Sequence, residues 1–161
     1  MSVHPFSDLE GLRIAAEMES RGGRFYQRAS RIVRDPALRE MLVDMAEEEK
    51  IHLSQFRRLY DLALEQDGDV EYDEETNAYL SALAAEYVFP GGLAEVMCEP
   101  TARGILQSAI RSEQESIAFY TKMSQAAYLD SARRRFQEIA DTERAHLESL
   151  QVRLDQVSSE K

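Results

Sequence analysis

The sequence of 161 residues is poor in cysteine, proline and glycine, of which it has one, four and seven. The single cysteine, Cys98, excludes an internal disulfide framework, a Cys-x-x-Cys redox pair and a cysteine-based zinc or iron–sulfur site. The low proline and glycine contents, beside 43% hydrophobic residues, exclude a collagen-like or disordered chain. No stretch approaches the roughly 18 apolar residues of a membrane span, and the N-terminus lacks a signal-peptide pattern. We therefore expect a cytoplasmic protein.

Positive charge is also scarce, since 19 lysines and arginines stand against 30 aspartates and glutamates, a net charge of -11. This excess of negative charge argues against nucleic acid and anionic membranes as partners, and it favours cations as charged ligands. A chain of this length can bury one sizeable core. We expect residues 1–161 to form a single domain.

Apolar residues recur at gaps of three and four along the chain, which predicts an all-α protein. A shorter helical stretch is expected near residues 73–88. Two helical hairpins, joined by a long crossover that contains this short helix, form a four-helix bundle. The signals that start the four long helices are a capping box at Ser7, the pair Asp35-Pro36, a start near Thr101 and a cap at Asp130.

Six positions on the predicted core faces carry ionisable side chains. Leaving a buried carboxylate charged and unpaired costs several kcal/mol, so this pattern requires a compensating group. The stretches 49–52 and 143–146 both read Glu-x-x-His, which places a carboxylate and an imidazole about one turn apart on one helix face. The six residues are Glu19, Glu49, His52, Glu113, Glu143 and His146.

An internal repeat connects these positions. Glu19 and Glu113 lie 94 positions apart, and the same offset separates the two Glu-x-x-His motifs. The chain is therefore two copies of one helical hairpin, and equivalent residues are expected to meet at the bundle centre. Four carboxylates carry four negative charges, which two divalent cations would neutralise. Mixed carboxylate and imidazole ligands suit iron or manganese, and zinc is also compatible.

A single Glu-x-x-His on a glutamate-rich helix is commonly an accident of an exposed face. Two such motifs in register with two further core glutamates argue against that explanation. The main alternative is a bundle that keeps the ligands without a functional metal.

Two tyrosines accompany the lone glutamates. Tyr26 and Tyr120 lie seven residues after Glu19 and Glu113, about two helical turns along the same face. Each phenol either packs in the core or hydrogen-bonds a ligand carboxylate from a neighbouring helix. Both tyrosines are therefore candidate catalytic residues.

The combined motifs resemble the rubrerythrin-like, di-iron branch of the ferritin-like superfamily, over essentially the whole chain. The resemblance implies a ferritin-like bundle that holds two iron ions bridged by Glu49 and Glu143. It implies outer ligands at Glu19, His52, Glu113 and His146. The motifs that carry it are Glu19-x-x-Gly22-x-x-Phe25-Tyr26, Glu49-x-x-His52, Glu113-x-x-Ser116-x-x-Phe119-Tyr120, Glu143-x-x-His146 and Val88-Phe89-Pro90.

The resemblance also implies reduction of hydrogen peroxide or dioxygen by iron that cycles between the ferrous and ferric states. Rubrerythrins proper carry a rubredoxin domain with two cysteine pairs, which this sequence lacks, so an external electron-transfer protein is expected as a partner. They also carry a glutamate one turn before the third-helix ligand, where this sequence has Ile110. A homodimer is the expected assembly.

Three functions are compatible with the sequence. The first is a di-iron enzyme that acts on peroxide or dioxygen. The second is a binding protein that oxidises and stores iron, as ferritins do. The third is a structural or partner-binding helical module whose metal only staples the fold. Storage requires a closed shell or an enclosing compartment, whereas a peroxidase works as a dimer.

Overall fold

The computed structural model describes residues 7–67, 74, 75, 78 and 101–159. These residues form four long helices and no strand, which confirms the predicted all-α four-helix bundle. The short crossover helix predicted near residues 73–88 lies almost entirely outside the described residues. None of the described helices has an apolar stretch long enough to cross a membrane. The helices are α1 (Asp8–Ile32), α2 (Pro36–Asp67), α3 (Ala102–Ala126) and α4 (Asp130–Ser159).

The first helix begins with the predicted capping box. The Glu10 backbone N–H donates to Ser7 Oγ at 3.2 Å, and the Ser7 N–H donates to Glu10 Oε1 at 3.3 Å. Helix α3 begins in a related way, because Thr101 Oγ1 accepts the Gly104 N–H at 3.0 Å. These caps satisfy amide groups that have no partner within their own helix.

The predicted cap at Asp130 was wrong by one position. Asp130 is the first residue of α4, and its carboxylate accepts a hydrogen bond from the Arg133 guanidinium at 3.1 Å. The carboxylate that satisfies the preceding turn comes instead from the other hairpin. Asp8 accepts the N–H groups of Tyr128 and Leu129, each at 2.9 Å.

Each helix packs mainly against its partner in the same hairpin, α1 against α2 and α3 against α4. Asp8, at the start of α1, contacts the turn that follows the end of α3, so α1 runs antiparallel to α3. An ion pair between Asp35, before α2, and Arg153, near the end of α4, makes α2 antiparallel to α4. An apolar core runs between the four helices, and it is interrupted midway by the ionisable residues predicted from the sequence.

An aromatic cluster lies beside that interruption and joins three helices. Phe56 of α2 lies 5.3 Å, between ring centroids, from both Tyr120 of α3 and Phe136 of α4. All three rings are fully buried. Large rings fix helix positions well, because their burial is favourable and they have few rotamers.

We expect Asp8→Ala to lower the free energy of unfolding by about 2 kcal/mol, because the turn N–H groups lose a partly buried charged acceptor. The exposed Asp155 provides the control, and Asp155→Ala should change stability by less than about 0.5 kcal/mol. Urea unfolding of both variants measures the difference. Equal midpoints would show that Asp8 does not join the hairpins.

Candidate metal centre

The structure brings the six predicted residues together at the middle of the bundle. They form what we call the six-residue cluster, and their exposed fractions lie between 1% and 7%. Helices α1 and α3 contribute one glutamate each, whereas α2 and α4 contribute a Glu-x-x-His each. The cluster consists of Glu19, Glu49, His52, Glu113, Glu143 and His146.

The cluster divides into two overlapping groups of four residues, each with ligand atoms within 4.8 Å of one another. Glu49 and Glu143 belong to both groups. This sharing is the arrangement that two bridging carboxylates require. The first group also contains Glu19 and His52, and the second also contains Glu113 and His146.

Both imidazoles turn their Nδ1 atoms toward carboxylates. Glu143 lies between them, with Oε1 3.2 Å from His52 Nδ1 and Oε2 3.2 Å from His146 Nδ1. His52 Nδ1 also lies 3.6 Å from Glu19 Oε1, and His146 Nδ1 lies 3.7 Å from Glu49 Oε1. The two ring centroids are 6.3 Å apart. Each imidazole can therefore present one nitrogen to a cation in its own group.

Several carboxylate oxygens of the cluster have no hydrogen-bond donor among the described residues. They are buried, so water does not compensate them. An unpaired buried acceptor is costly, and a cation is the partner that a set of carboxylates and imidazoles suits best. The residues present therefore fit a pair of divalent metal ions. The atoms are Oε2 of Glu19, Oε1 of Glu49 and Oε2 of Glu113.

Without metal, the surroundings of the cluster disfavour the charged form of three of the carboxylates. Burial raises the pKa of Glu19, Glu49 and Glu113, and the nearby charge of Glu143 raises each further. Burial also opposes ionisation of Glu143 itself. Hydrogen bonds with Glu113 and with the two imidazoles outweigh that effect and lower the pKa of Glu143 below its usual value.

The imidazoles respond in the opposite direction. Burial by itself lowers the pKa of His52, but hydrogen bonds to Glu143 and Glu19 outweigh it and raise the pKa to about 10. For His146, hydrogen bonds to Glu113 and Glu143 overcome the same burial effect and raise the pKa to about 11. Both imidazoles are therefore cationic at neutral pH when no metal is bound.

The two tyrosines bond across the bundle in a reciprocal manner. Tyr26 of α1 donates its hydroxyl to Glu113 Oε1 of α3 at 2.5 Å, and Tyr120 of α3 donates to Glu19 Oε1 of α1 at 2.9 Å. This confirms the hydrogen bond to a carboxylate of a neighbouring helix. Burial, and then the adjacent glutamate, raise the pKa of each phenol well above its usual value. Both phenols stay protonated and hold one oxygen of each lone glutamate in place.

Gly22 permits the close approach of α1 to the cluster. A Cβ atom at position 22 would lie 2.9 Å from Glu49 Oε2, closer than carbon normally approaches oxygen. Gly23 differs, because a Cβ there would lie 3.7 Å from Glu49 Cβ, at ordinary contact distance. A side chain at position 22 would therefore displace the Glu49 carboxylate, whereas one at position 23 has room.

Glu48 is a seventh participant that the sequence patterns did not indicate. Its Oε2 contacts Nε2 of His146, the nitrogen that faces away from the other carboxylates. A carboxylate at this nitrogen fixes the ring orientation and leaves Nδ1 available to a metal. The repeat gave no signal for Glu48, since the equivalent position in the second hairpin is Thr142.

Comparisons with known proteins agree with this geometry. The family model described as Rubrerythrin matches residues 10–154. Among solved structures, the chain is similar to "Hypothetical Protein Pfu-1136390-001" from Pyrococcus furiosus, with a TM-score of 0.68 and 22% identity. That match covers 93% of this chain and 89% of the other, and it shows the fold alone. No curated protein matches the chain.

Metal binding should release protons, because the imidazole Nδ1 atoms must lose theirs to coordinate. Since the pKa values of His52 and His146 are about 10 and 11 without metal, protons compete at every pH below those values. Affinity for Co²⁺ should fall with falling pH, by up to about ten-fold per unit for each proton displaced. Titrations at pH 6 and pH 8 measure this, and equal affinities would contradict imidazole ligation.

Glu48→Ala should weaken Co²⁺ binding by about ten-fold or more, because His146 loses the group that orients its ring. Glu48→Gln keeps an acceptor oxygen at Nε2 and should recover most of the affinity. Glu148→Ala removes an exposed carboxylate from α4 and serves as the control for net charge. If Glu48→Ala and Glu148→Ala lower the affinity equally, Glu48 acts only through its charge.

Proposed function

The chain belongs to the rubrerythrin family, and on this premise we propose that it is a non-haem di-iron oxidoreductase. It reduces hydrogen peroxide or dioxygen with electrons from an external protein, and it works as a homodimer in the cytoplasm. The single observation that carries the proposal is the pair of overlapping ligand groups, which share Glu49 and Glu143 and contain unpaired buried oxygens. A helical module without a metal role has no need of these groups, whose burial lowers its stability.

The protein's own contribution is to hold the metal ligands in a dry and nearly symmetric frame. Glu49 and Glu143 would bridge the two ions, while each imidazole Nδ1 and each lone glutamate would hold one ion from outside. Four carboxylates balance two divalent ions, so the loaded cluster carries no net charge in the low-dielectric core. A neutral cluster can accept or lose an electron with a smaller electrostatic penalty than a strongly charged one.

Bound iron would supply two electrons, one from each ferrous ion, so that one hydrogen peroxide and two protons give two water molecules. The chain's own side chains have to hold the metal ligands in position and keep protons near the site of that reaction. Tyr26 and Tyr120 keep their protons because of their raised pKa values, and both point those protons at Glu113 and Glu19. The two hydroxyls therefore fix the orientation of the outer carboxylates. Each also keeps its proton next to the carboxylate that it contacts.

The electrons for a second cycle must come from outside the chain. The sequence has one cysteine and no Cys-x-x-Cys pair, so a cysteine-ligated electron-transfer iron site cannot form within it. A small one-electron carrier protein of rubredoxin type is the class of partner that fits. The isolated ferrous protein should therefore react once and stop.

The decisive experiment loads the protein anaerobically with two ferrous ions per chain and adds hydrogen peroxide. One peroxide per chain should oxidise both ions, after which consumption stops until a rubredoxin-type donor and its reductase are supplied. Glu143→Ala should lose metal binding and oxidation together, whereas Glu148→Ala should retain both. An optical spectrum and a peroxide assay record the outcome.

Three results would contradict the proposal. Sustained peroxide reduction with NADH alone would show an electron path within the chain. Binding of two ions without oxidation would leave a structural metal. Growth of an iron core well beyond two ions per chain, in an assembly far larger than a dimer by light scattering, would point to storage instead.

The tyrosine bonds can be tested in the same single-turnover experiment. Tyr26→Phe removes the hydroxyl that orients Glu113, and it should change the oxidation rate by about ten-fold or more while leaving two ions bound. Tyr128 is 89% exposed, so Tyr128→Phe is the matched control and should behave as the wild type does. An unchanged oxidation rate in Tyr26→Phe would show that Tyr26 acts only by packing in the core.

A further inference from the structure

A groove of about 190 Å³ lies between α1 and α2, and Glu19 of the six-residue cluster is one of its lining residues. Gly23 lines it beside Glu19, and the absence of a side chain there keeps it open toward the cluster. We propose that this groove, called here the Gly23 groove, is the path by which a small uncharged oxidant such as hydrogen peroxide reaches the metal centre. The proposal rests on the proposed function for the identity of the oxidant.

The first observation that supports a path is the burial and hydrogen bonding of Glu19. This residue is only 2% exposed, yet it lines the groove. Its Oε1 accepts the Tyr120 hydroxyl, whereas its Oε2 has no hydrogen-bond partner among the described residues. The groove is therefore lined by a buried residue that has an unpaired acceptor oxygen and that belongs to a ligand group, as a path toward the metals requires.

The second support is a difference between the two hairpins. With the repeat offset of 94 positions, Gly23 corresponds to Ile117 and Lys50 corresponds to Arg144. Arg144 donates to Thr121 at 3.0 Å and to Asp141 at 2.7 Å, which ties α4 to α3 across the equivalent surface. The second hairpin thus has the branched side chain of Ile117 and the hydrogen bond from Arg144 to Thr121 at the positions that form the groove in the first hairpin.

The lining of the groove matches a small hydrogen-bonding molecule. Gln27 and Ser20 provide neutral polar groups, while Glu47, Arg24 and Lys50 provide charges of both signs. Mixed charge gives no strong preference for a cation or an anion. The volume would hold several molecules of the size of water, each of which occupies about 30 Å³ in the liquid. Peroxide is little larger than water and can follow the same hydrogen-bonding positions.

A second groove, of about 380 Å³, reaches His146 between α2 and α4. Its α2 side carries Glu40, Asp44 and Glu48, and the contact of Glu48 with His146 lies at its inner end. This strongly acidic lining suits a cation better than an uncharged oxidant. It is the competing path that the experiment must distinguish.

The test narrows the Gly23 groove with the series Gly23→Ala, Gly23→Val and Gly23→Leu. The readout is binding of nitric oxide, a small uncharged ligand, to the anaerobic ferrous protein, followed by the visible spectrum in a stopped-flow instrument, so no peroxide turnover is needed. A side chain that only obstructs the path raises the barrier without changing either end state. Gly23→Leu should therefore slow association and dissociation by the same factor, about ten-fold, and leave the Kd unchanged.

Two controls accompany the series. Ile117→Leu places the same side chain at the equivalent position of the second hairpin, and it should leave both rates unchanged. Gly23→Ala adds one methyl group at ordinary contact distance and should raise thermal stability, since Ala favours a helix by about 1 kcal/mol over Gly. A folded Ala or Val variant therefore keeps the test informative if Gly23→Leu does not fold.

Association and dissociation rates that do not depend on the side chain at position 23 would overturn the proposal. They would indicate the groove beside His146 as the path. A changed Kd would also overturn it, because the substitution would then act on the ligand groups and not on the path. Peroxide oxidation of the ferrous variants completes the comparison. If nitric oxide follows the predicted pattern and peroxide causes no oxidation in any variant, the path is supported and the proposed function fails.

Discussion

The burial of four carboxylates at one level of the bundle is the constraint on which the rest of the structure depends. Each carboxylate loses its hydration, and several of their oxygens gain no protein donor in return. Only positive charge at the same place can offset this cost. Bound metal ions would supply that charge, whereas without metal the raised pKa values of His52 and His146 favour their cationic forms.

The surrounding helices can tolerate such a centre because further contacts, at the centre and away from it, connect them to each other. The Tyr26 and Tyr120 bonds join α1 to α3, and the aromatic cluster around Phe56 joins α2, α3 and α4. Asp8 adds a hydrogen-bonded contact between the two hairpins at one end of the bundle. The ligand atoms therefore stay near one another before any ion arrives, which lowers the conformational cost of metal binding.

The sequence predicted the fold and the six-residue cluster well, because both depend on spacing. Glutamate and histidine at core positions, repeated at a constant offset, must meet when two similar hairpins pack about a pseudo-twofold axis. The contacts that were missed do not follow the spacing. Asp8 caps the turn of the other hairpin, and Glu48 has no counterpart at the position of Thr142. Such contacts depend on how the hairpins lie in space.

The departures from the repeat leave a symmetric cluster of ionisable residues within less symmetric surroundings. The cluster residues and the two tyrosines obey the offset, since each half must contribute equally to a neutral pair of sites. Position 142 holds Thr142, whose hydroxyl donates to the Glu138 carbonyl at 3.2 Å, where Glu48 of the first hairpin contacts a histidine. The two ligand groups therefore share a composition but differ in the partners outside them. A metal ion beside His146 would have an additional carboxylate behind its imidazole, so two bound ions should differ in affinity even though their immediate ligands match.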